Sequence, residues 1–228
     1  MNMFTTPESL LSRSRGPVLL VFLALAGCVE LNREAMELKA QAHYELGLVR
    51  LGERRYQEAQ LALKEALALN PAEAAYANAL GFAYYQDGKL LLAVEAFQAA
   101  VRTTSDFADA YNGLGVALAD LGRWEEAVSA YQKALALPGY ADPATARQNL
   151  AWAYVNLGRL DAAREELGTA LRLSPNLVSA HYHLGLVYQR LGQRPEAIRT
   201  FRRVIELAPD SEFARGARQH LQALGEAP

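Results

Sequence analysis

A Leu-Gly pair, replaced once by Leu-Ala, recurs at a nearly fixed interval along this chain. When the Gly or Ala is placed at position 8 of a unit, five units begin at residues 40, 74, 108, 144 and 178. The starts are 34, 34, 36 and 34 residues apart, and a partial sixth unit begins 34 residues further on, at residue 212. This period is typical of arrays in which each unit is one supersecondary structure that packs on the next. The sequence therefore predicts a repeat array whose core comes from stacking.

Side-chain size follows the same period. Positions 8, 20 and 27 carry small residues in every unit except for one valine, and position 24 carries the larger residues Leu63, Phe97, Tyr131, Leu167 and Phe201. We expect the small residues to let the two helices of a unit approach closely, and the larger ones to fill the space between units. A glycine able to end a helix closes the predicted first helix in four units, as Gly88, Gly122, Gly158 and Gly192.

These positions resemble the consensus of the tetratricopeptide repeat. The resemblance implies an all-α fold, a right-handed superhelical array of about five tetratricopeptide repeats over residues 40–211, followed by a C-terminal capping helix and tail over 212–228. Two departures stand out. The first unit has Arg54 where glycine is usual, and two residues are inserted within the linker Pro138 to Pro143, before the fourth unit.

The N-terminal segment has the organisation of a secretory signal peptide. Basic residues precede an apolar run over 18–26, which is shorter than the about 20 residues needed to cross a bilayer. The four residues that end at Cys28, Leu-Ala-Gly-Cys, resemble a bacterial lipobox. This resemblance implies that residues 1–27 are cleaved and that residues 28–39 are a lipidated N-terminus and tether. The alternative is a buried N-terminal helix with a free thiol at Cys28, the only cysteine.

The resemblance to lipoproteins also implies a location. The residue after Cys28 is Val29 and not aspartate, which in Gram-negative lipoproteins favours transfer to the outer membrane. The expected location is the periplasmic face of the outer membrane, with the covalent lipid on Cys28 as the only membrane contact. Two or more acyl chains, at about 0.8 kcal/mol per buried CH₂, make a stable anchor.

The sequence offers little chemistry. Of the four histidines, His181 and His183 are two residues apart on a predicted helix, so they point in different directions and cannot share a metal. Neither a phosphate-binding loop nor a hydrolase nucleophile motif is present. The formal net charge of −2 lacks the basic footprint of a nucleic-acid-binding protein. We predict that the protein is not an enzyme, and that it binds no metal, cofactor, nucleic acid or small-molecule substrate.

The surface expected to bind a partner is the concave one, which the first helix of each unit lines. Its positions carry aromatic, aliphatic and amide side chains but no lysine or arginine, which suits a segment of another protein. The predicted groove consists of Tyr44, Leu48, Asn78, Phe82, Tyr85, Asn112, Val116, Asn149, Trp152, Asn156, Tyr182 and Leu186. A Lys/Arg/Asn clamp for a C-terminal carboxylate is absent from these positions.

The arrangement of a lipobox followed by a short array resembles the type IV pilus pilotin family, whose members include PilF, PilW and Tgl. The similarity is carried by residues 42–48 in the first unit and by residues 137–154, where the Pro138 to Pro143 linker leads into the fourth unit. It implies a scaffold that binds secretin subunits and promotes their localisation and assembly in the outer membrane. Two alternatives are a lipoprotein adaptor that recruits peptidoglycan hydrolases or a protease, and an enzyme with a site in the groove.

Overall fold

The computed structural model describes the backbone of residues 15–227 and the side chains of residues 32–227. The predicted signal peptide and the side chain of Cys28 lie outside these ranges. The described part is all-helical, which confirms the predicted fold class. Its helices are α1 (Arg15–Gly52), α2 (Tyr56–Leu69), α3 (Ala74–Gln86), α4 (Leu90–Thr103), α5 (Ala108–Asp120), α6 (Trp124–Ala136), α7 (Pro143–Asn156), α8 (Leu160–Leu173), α9 (Val178–Arg190), α10 (Arg194–Leu207) and α11 (Glu212–Ala223).

The helices pair in chain order. The two helices of each unit pack on each other, and the second helix then packs on the first helix of the next unit. The first helices of successive units, from α1 to α9, also touch one another. This nearest-neighbour packing makes a superhelical array of five tetratricopeptide units, as the sequence predicts. None of the helices in the described part combines the length and the apolarity that a membrane span requires.

Helix α1 is much longer than the other helices. It extends from Arg15 to Gly52, so the residues expected to form a tether, 28–39, are helical. The sequence from Glu30 to Lys39 contains neither proline nor glycine and is rich in Glu, Leu, Ala and Met, which favour helix. Residues 32–39 are all exposed, so this part of α1 protrudes ahead of the array.

The turns between the two helices of each unit need a residue in the left-handed region. Gly88, Gly122, Gly158 and Gly192 occupy it with φ between 72 and 73°. In the first unit the same place is taken by Arg54, with φ of 59°. This conformation costs an ordinary L-residue roughly 1–2 kcal/mol. The first unit therefore makes the same turn as the others at an energetic cost.

The large residues at position 24 pack on the glycines at position 8. A Cβ added at Gly81 would lie 2.8 Å from Phe97 Cδ1, and one added at Gly115 would lie 2.6 Å from Tyr131 Cε1. The expectation that position 24 fills only the space between units is therefore incomplete, because these contacts lie within one unit. Phe97 packs both within its own unit and against the next one, since a Cβ at Gly113 of the next unit would lie 2.6 Å from its Cε1.

Side chains cap the N-termini of two helices: α7, which follows the inserted linker, and α11, the last helix. Gly139 takes a φ of 76°, and the Asp142 side chain then accepts a hydrogen bond from the Thr145 amide at 3.1 Å, which caps α7. Ser211 caps α11 in the same way, through the Ala214 amide at 3.0 Å. Helix α11 packs on α9 and α10 and buries Leu221, so it covers the C-terminal end of the array.

Candidate protein-binding groove

The first helices α3, α5, α7 and α9 lie next to one another and carry most of the predicted groove residues. All twelve predicted side chains lie within the described part and keep some exposed surface. Phe82 is 47% exposed, so its ring is accessible to a partner.

A cavity of about 250 Å³ lies between α3 and α5. Five predicted residues line it together: Asn78, Phe82, Tyr85, Asn112 and Val116. These five residues therefore lie on one surface. Three further lining residues were not among the predictions: Phe97, Asp109 and Gly113.

The sequence held a signal for two of the missed residues. Asp109 and Gly113 fall at positions 2 and 6 of their unit, on the same side of the first helix as the predicted Asn112 and Val116 at positions 5 and 9. Gly113 opens the floor of the cavity, because a side chain there would collide with the ring of Phe97. Phe97 lies at position 24, a core position, and is only 3% exposed. Its ring forms part of the cavity wall because Gly113 has no side chain.

The polar groups that line the cavity include a buried acceptor and a carboxylate. The Oδ1 atom of Asn112 is buried and has no hydrogen-bond partner in the described part of the chain. Asp109 adds a carboxylate to the lining, and no lysine or arginine does. The Tyr85 hydroxyl donates to Asp120 Oδ2 at 2.8 Å, and burial together with this hydrogen bond raises the pKa of Tyr85 to about 12. The cavity therefore suits an apolar side chain accompanied by hydrogen-bond donors or a positive charge.

The remaining predicted residues lie outside this cavity. In the first unit, Tyr44 packs on Tyr76 with ring centroids 4.9 Å apart, while Leu48 is 41% exposed on the same helix. In the fourth unit, Asn149 is half-buried and the Asn156 side-chain amide donates to the carbonyl oxygen of Trp152 at 2.8 Å.

Aromatic packing occupies the C-terminal part of the predicted groove. The ring of Trp152 stacks on His183 with centroids 5.0 Å apart. Tyr182 lies 5.5 Å from Phe213 of α11, and Leu186 is packed against the same cluster. These two residues hold the capping helix in place, so they contribute to the fold as well as to the concave surface.

No group of three histidine, cysteine, aspartate or glutamate side chains that could hold a metal ion occurs among the described residues. Burial lowers the pKa of His183 to about 4, which keeps its ring neutral at physiological pH. Its Nδ1 atom has no hydrogen-bond partner within residues 32–227. The groove thus offers apolar contacts and hydrogen-bonding groups for recognition.

Family models support the repeat assignment directly. Models described as tetratricopeptide repeat match residues 44–106, 83–143 and 178–211, and one described as TPR repeat matches residues 151–192. Together they cover most of the chain from residue 44 to residue 211. The chain belongs to the tetratricopeptide-repeat proteins, a class of scaffolds that bind other proteins.

Curated relatives share the repeats alone. The peroxisomal targeting signal receptor of Candida glabrata is 37% identical over 95 residues, which are 41% of this chain and 16% of that protein. Sperm-associated antigen 1 of Rattus norvegicus is 35% identical over 95 residues, or 41% of this chain and 10% of that protein. The chain spans less than a fifth of the length of either relative.

Solved structures match a larger part of the array. MamA is 27% identical with a TM-score of 0.65, over 71% of this chain and 93% of that one. PilF of Pseudomonas aeruginosa is 21% identical with a TM-score of 0.68, over 83% and 93% of the two chains. PilW, described as a widely conserved type IV pilus biogenesis factor, is 21% identical with a TM-score of 0.68, over 81% and 92%. At these identities the last two establish a shared fold.

Proposed function

We propose that this protein is a type IV pilus pilotin, a lipid-anchored scaffold that binds a secretin subunit and promotes its localisation and assembly in the outer membrane. The observation that carries the proposal is the cavity between α3 and α5, whose lining includes the exposed Phe82 and Asn112, an amide whose Oδ1 has no hydrogen-bond partner in the described part of the chain. The lipobox-like sequence at Cys28 and the linker from Pro138 to Pro143 select the pilotins among tetratricopeptide-repeat proteins.

The cavity can hold one segment of a secretin subunit. An apolar side chain of that segment contacts Phe82 and Val116, and its burial contributes about 1.5–3 kcal/mol. The side-chain amide of Asn112, whose Oδ1 has no partner among the described residues, can pair with the backbone of the same segment once the side chain turns toward it. The amide of Asn78 supplies a second group that can pair with the backbone.

The lipid anchor and the protruding part of α1 determine how far the groove lies from the membrane. A lipid on Cys28 holds the N-terminus at the periplasmic face of the outer membrane. Residues 28–39 form a helix that rises by about 18 Å. The helix thus holds the groove within reach of secretin subunits close to the membrane surface.

The proposal is tested by an immunoblot for heat- and detergent-resistant secretin multimers. Multimers are expected in the wild-type strain and only monomers in a strain without this gene. A strain that carries Phe82→Glu should behave like the deletion, because the substitution removes the aromatic contact and places a charged carboxylate where an apolar side chain of the partner would be buried. The control is Leu61→Glu, a leucine on α2 that is 62% exposed and lies outside the cavity.

Persistence of the multimers in the deletion strain would refute the pilotin assignment. The chain would then be an adaptor for another envelope protein, such as a peptidoglycan hydrolase or a protease. Affinity purification of the lipidated protein identifies that partner. Multimers that survive in the Phe82→Glu strain but not in the deletion strain would move the secretin-binding site away from the cavity.

A further inference from the structure

The first unit exposes an apolar face that every later unit buries. Positions 3, 7 and 10 are buried in each of units two to five. In the first unit these positions are Ala42, Leu46 and Val49, and all three are exposed, Leu46 by 43% and Val49 by 56%. Leu38 lies one turn earlier on the same side of α1 and is 73% exposed. We call these four residues the entry face.

The fifth unit shows what covers such a face. Its positions 3, 7 and 10 are Ala180, Leu184 and Val187, the same residue types as in the first unit. Helix α8 of the preceding unit covers them, with Ala163 and Leu167 in the same buried cluster. The other internal units are covered in the same way by α2, α4 and α6. In this array the occupant of such a face is an amphipathic helix.

Helix α1 cannot cover its own entry face. The helix is continuous from Arg15 to Gly52, so the residues before Leu38 extend along the helix axis and do not fold back over it. Only an occupant from outside the described part of the chain can therefore cover Leu38, Leu46 and Val49 and remove their apolar surface from water.

Charge specifies the occupant further. Glu34 and Glu45 lie along one edge of the entry face, three turns apart. Neither carboxylate is in an ion pair with a residue of the described part. Glu45 takes the place that His183 has in the fifth unit, where His183 faces Trp152 of α7. A basic residue on that edge of an incoming helix would meet Glu45.

We infer that the entry face is a second docking site, separate from the groove, for an amphipathic helix of a partner protein. The partner helix places small and branched apolar residues on Leu46 and Val49, as α8 does on Leu184 and Val187. It carries a lysine or arginine on the edge that faces Glu45. The partner helix then packs on the first helix of unit one as the second helix of each unit packs on the first helix of the next unit.

A peptide with the sequence of α8, residues 160–173, is a suitable probe for the full-length protein. A lactam between Asp161 and a lysine that replaces Glu165 holds so short a peptide in the helical state. The basic probe also carries Glu166→Lys, and the acidic probe keeps Glu166. Glu166 pairs with Arg147 of α7 in the array, so position 166 is on the side of α8 that faces α7. His183, which has the place of Glu45, also faces α7. Both peptides are labelled with fluorescein, and binding is measured by fluorescence anisotropy.

The basic probe is expected to bind the wild-type protein saturably. The double variant Leu46→Glu and Val49→Glu should bind it at least tenfold more weakly, because two carboxylates replace the apolar contacts. Leu61→Glu, which adds a charge on another exposed surface, should bind like the wild type. Circular dichroism confirms that the variants are folded, as expected for substitutions at exposed positions.

The charge requirement is tested separately. The basic probe should bind about threefold more tightly than the acidic one, as for an exposed ion pair, and Glu45→Gln should abolish that difference. The proposal is overturned if neither probe binds, or if the double variant binds as tightly as Leu61→Glu. It is also overturned if sedimentation shows a dimer of this chain that Val49→Glu dissociates, since the occupant would then be a second copy.

Discussion

The imidazole ring of His183 stacks on the indole ring of Trp152, with centroids 5.0 Å apart and planes inclined by 24°. Trp152 is on α7 and His183 is on α9, so the stack joins the first helices of two units. Burial lowers the pKa of His183 from 6.5 to about 4 in the folded protein. The folded state therefore prefers the neutral ring, whereas the unfolded chain binds a proton near pH 6.5.

Acid should therefore destabilise the array through His183. Stability from this group is fully present above pH 6.5 and is lost as the pH falls towards 4, because only the unfolded state gains a proton in that window. The two pKa values correspond to a loss of about 2 kcal/mol at pH 5. Urea unfolding followed by circular dichroism at pH 8 and at pH 5 measures it. In the His183→Gln protein, the loss of unfolding free energy between pH 8 and pH 5 should be smaller than in the wild type by most of that amount. An equal loss in the two proteins would contradict the prediction.

The ring of Phe97 lies between two glycines, Gly81 of its own unit and Gly113 of the next. Gly113→Ala places a Cβ 2.6 Å from Phe97 Cε1, so the ring must move and the contact between α4 and α5 loosens. We expect a loss of about 1–2 kcal/mol in the free energy of unfolding, even though alanine is the better helix former. Thermal and chemical denaturation provide the measurement.

Gly168→Ala in α8 is the matched control for Gly113→Ala. A Cβ there meets only the Arg172 Nη1 atom, at 3.8 Å. The substitution should stabilise the protein by roughly 0.5–1 kcal/mol through helix propensity. Destabilisation by both substitutions would show that the helices tolerate no change at either glycine, and that the close approach of Phe97 is not the cause.

Arg54 makes a turn that glycine makes in the other units. Arg54→Gly removes the strain of a φ of 59° but gives the unfolded chain more freedom, so we expect a net gain of about 0.5 kcal/mol. Gly158→Ala is the reverse change, at a φ of 72° with open space around the added Cβ. It should cost about 1 kcal/mol. Equilibrium unfolding in guanidinium distinguishes the two signs, and a destabilised Arg54→Gly would mean that the arginine side chain makes a compensating contact.

The fold could be predicted from the sequence because each unit repeats the same size pattern. The spacing places Phe97 at position 24, and its contact with Gly113 of the next unit is the packing between units that this position predicts. Two features needed the structure. The first is that residues 28–39, predicted to be a lipidated N-terminus and tether, are helical, as their local residues favour. The contact of Phe97 with Gly81 of its own unit was the second, because the size pattern alone does not show that a position-24 residue also packs within its unit.

The candidate site could be predicted in part. The concave positions identified five residues of the cavity, because the first helices present the same positions to the same surface. They also included Tyr182, whose main neighbours are on the capping helix. The period continues to the end of the chain, but the environment changes there, since α11 replaces a complete sixth unit. Such end effects depend on tertiary packing and not on the spacing of residues.

The anchor at Cys28 leads to a last prediction, about location. Cys28→Ala removes the thiol that would carry the lipid and leaves residues 40–211 unchanged, so the array should fold but leave the membrane fraction. Loss of two or more acyl chains weakens membrane binding by many kcal/mol, because each buried CH₂ contributes about 0.8 kcal/mol. Cell fractionation with an immunoblot, combined with metabolic labelling by palmitate, measures both the location and the lipid. Val29→Ala, next to the same cysteine, should keep the label and the membrane location. A Cys28→Ala protein that stays in the membrane fraction would show that something other than a lipid on this residue holds the chain there.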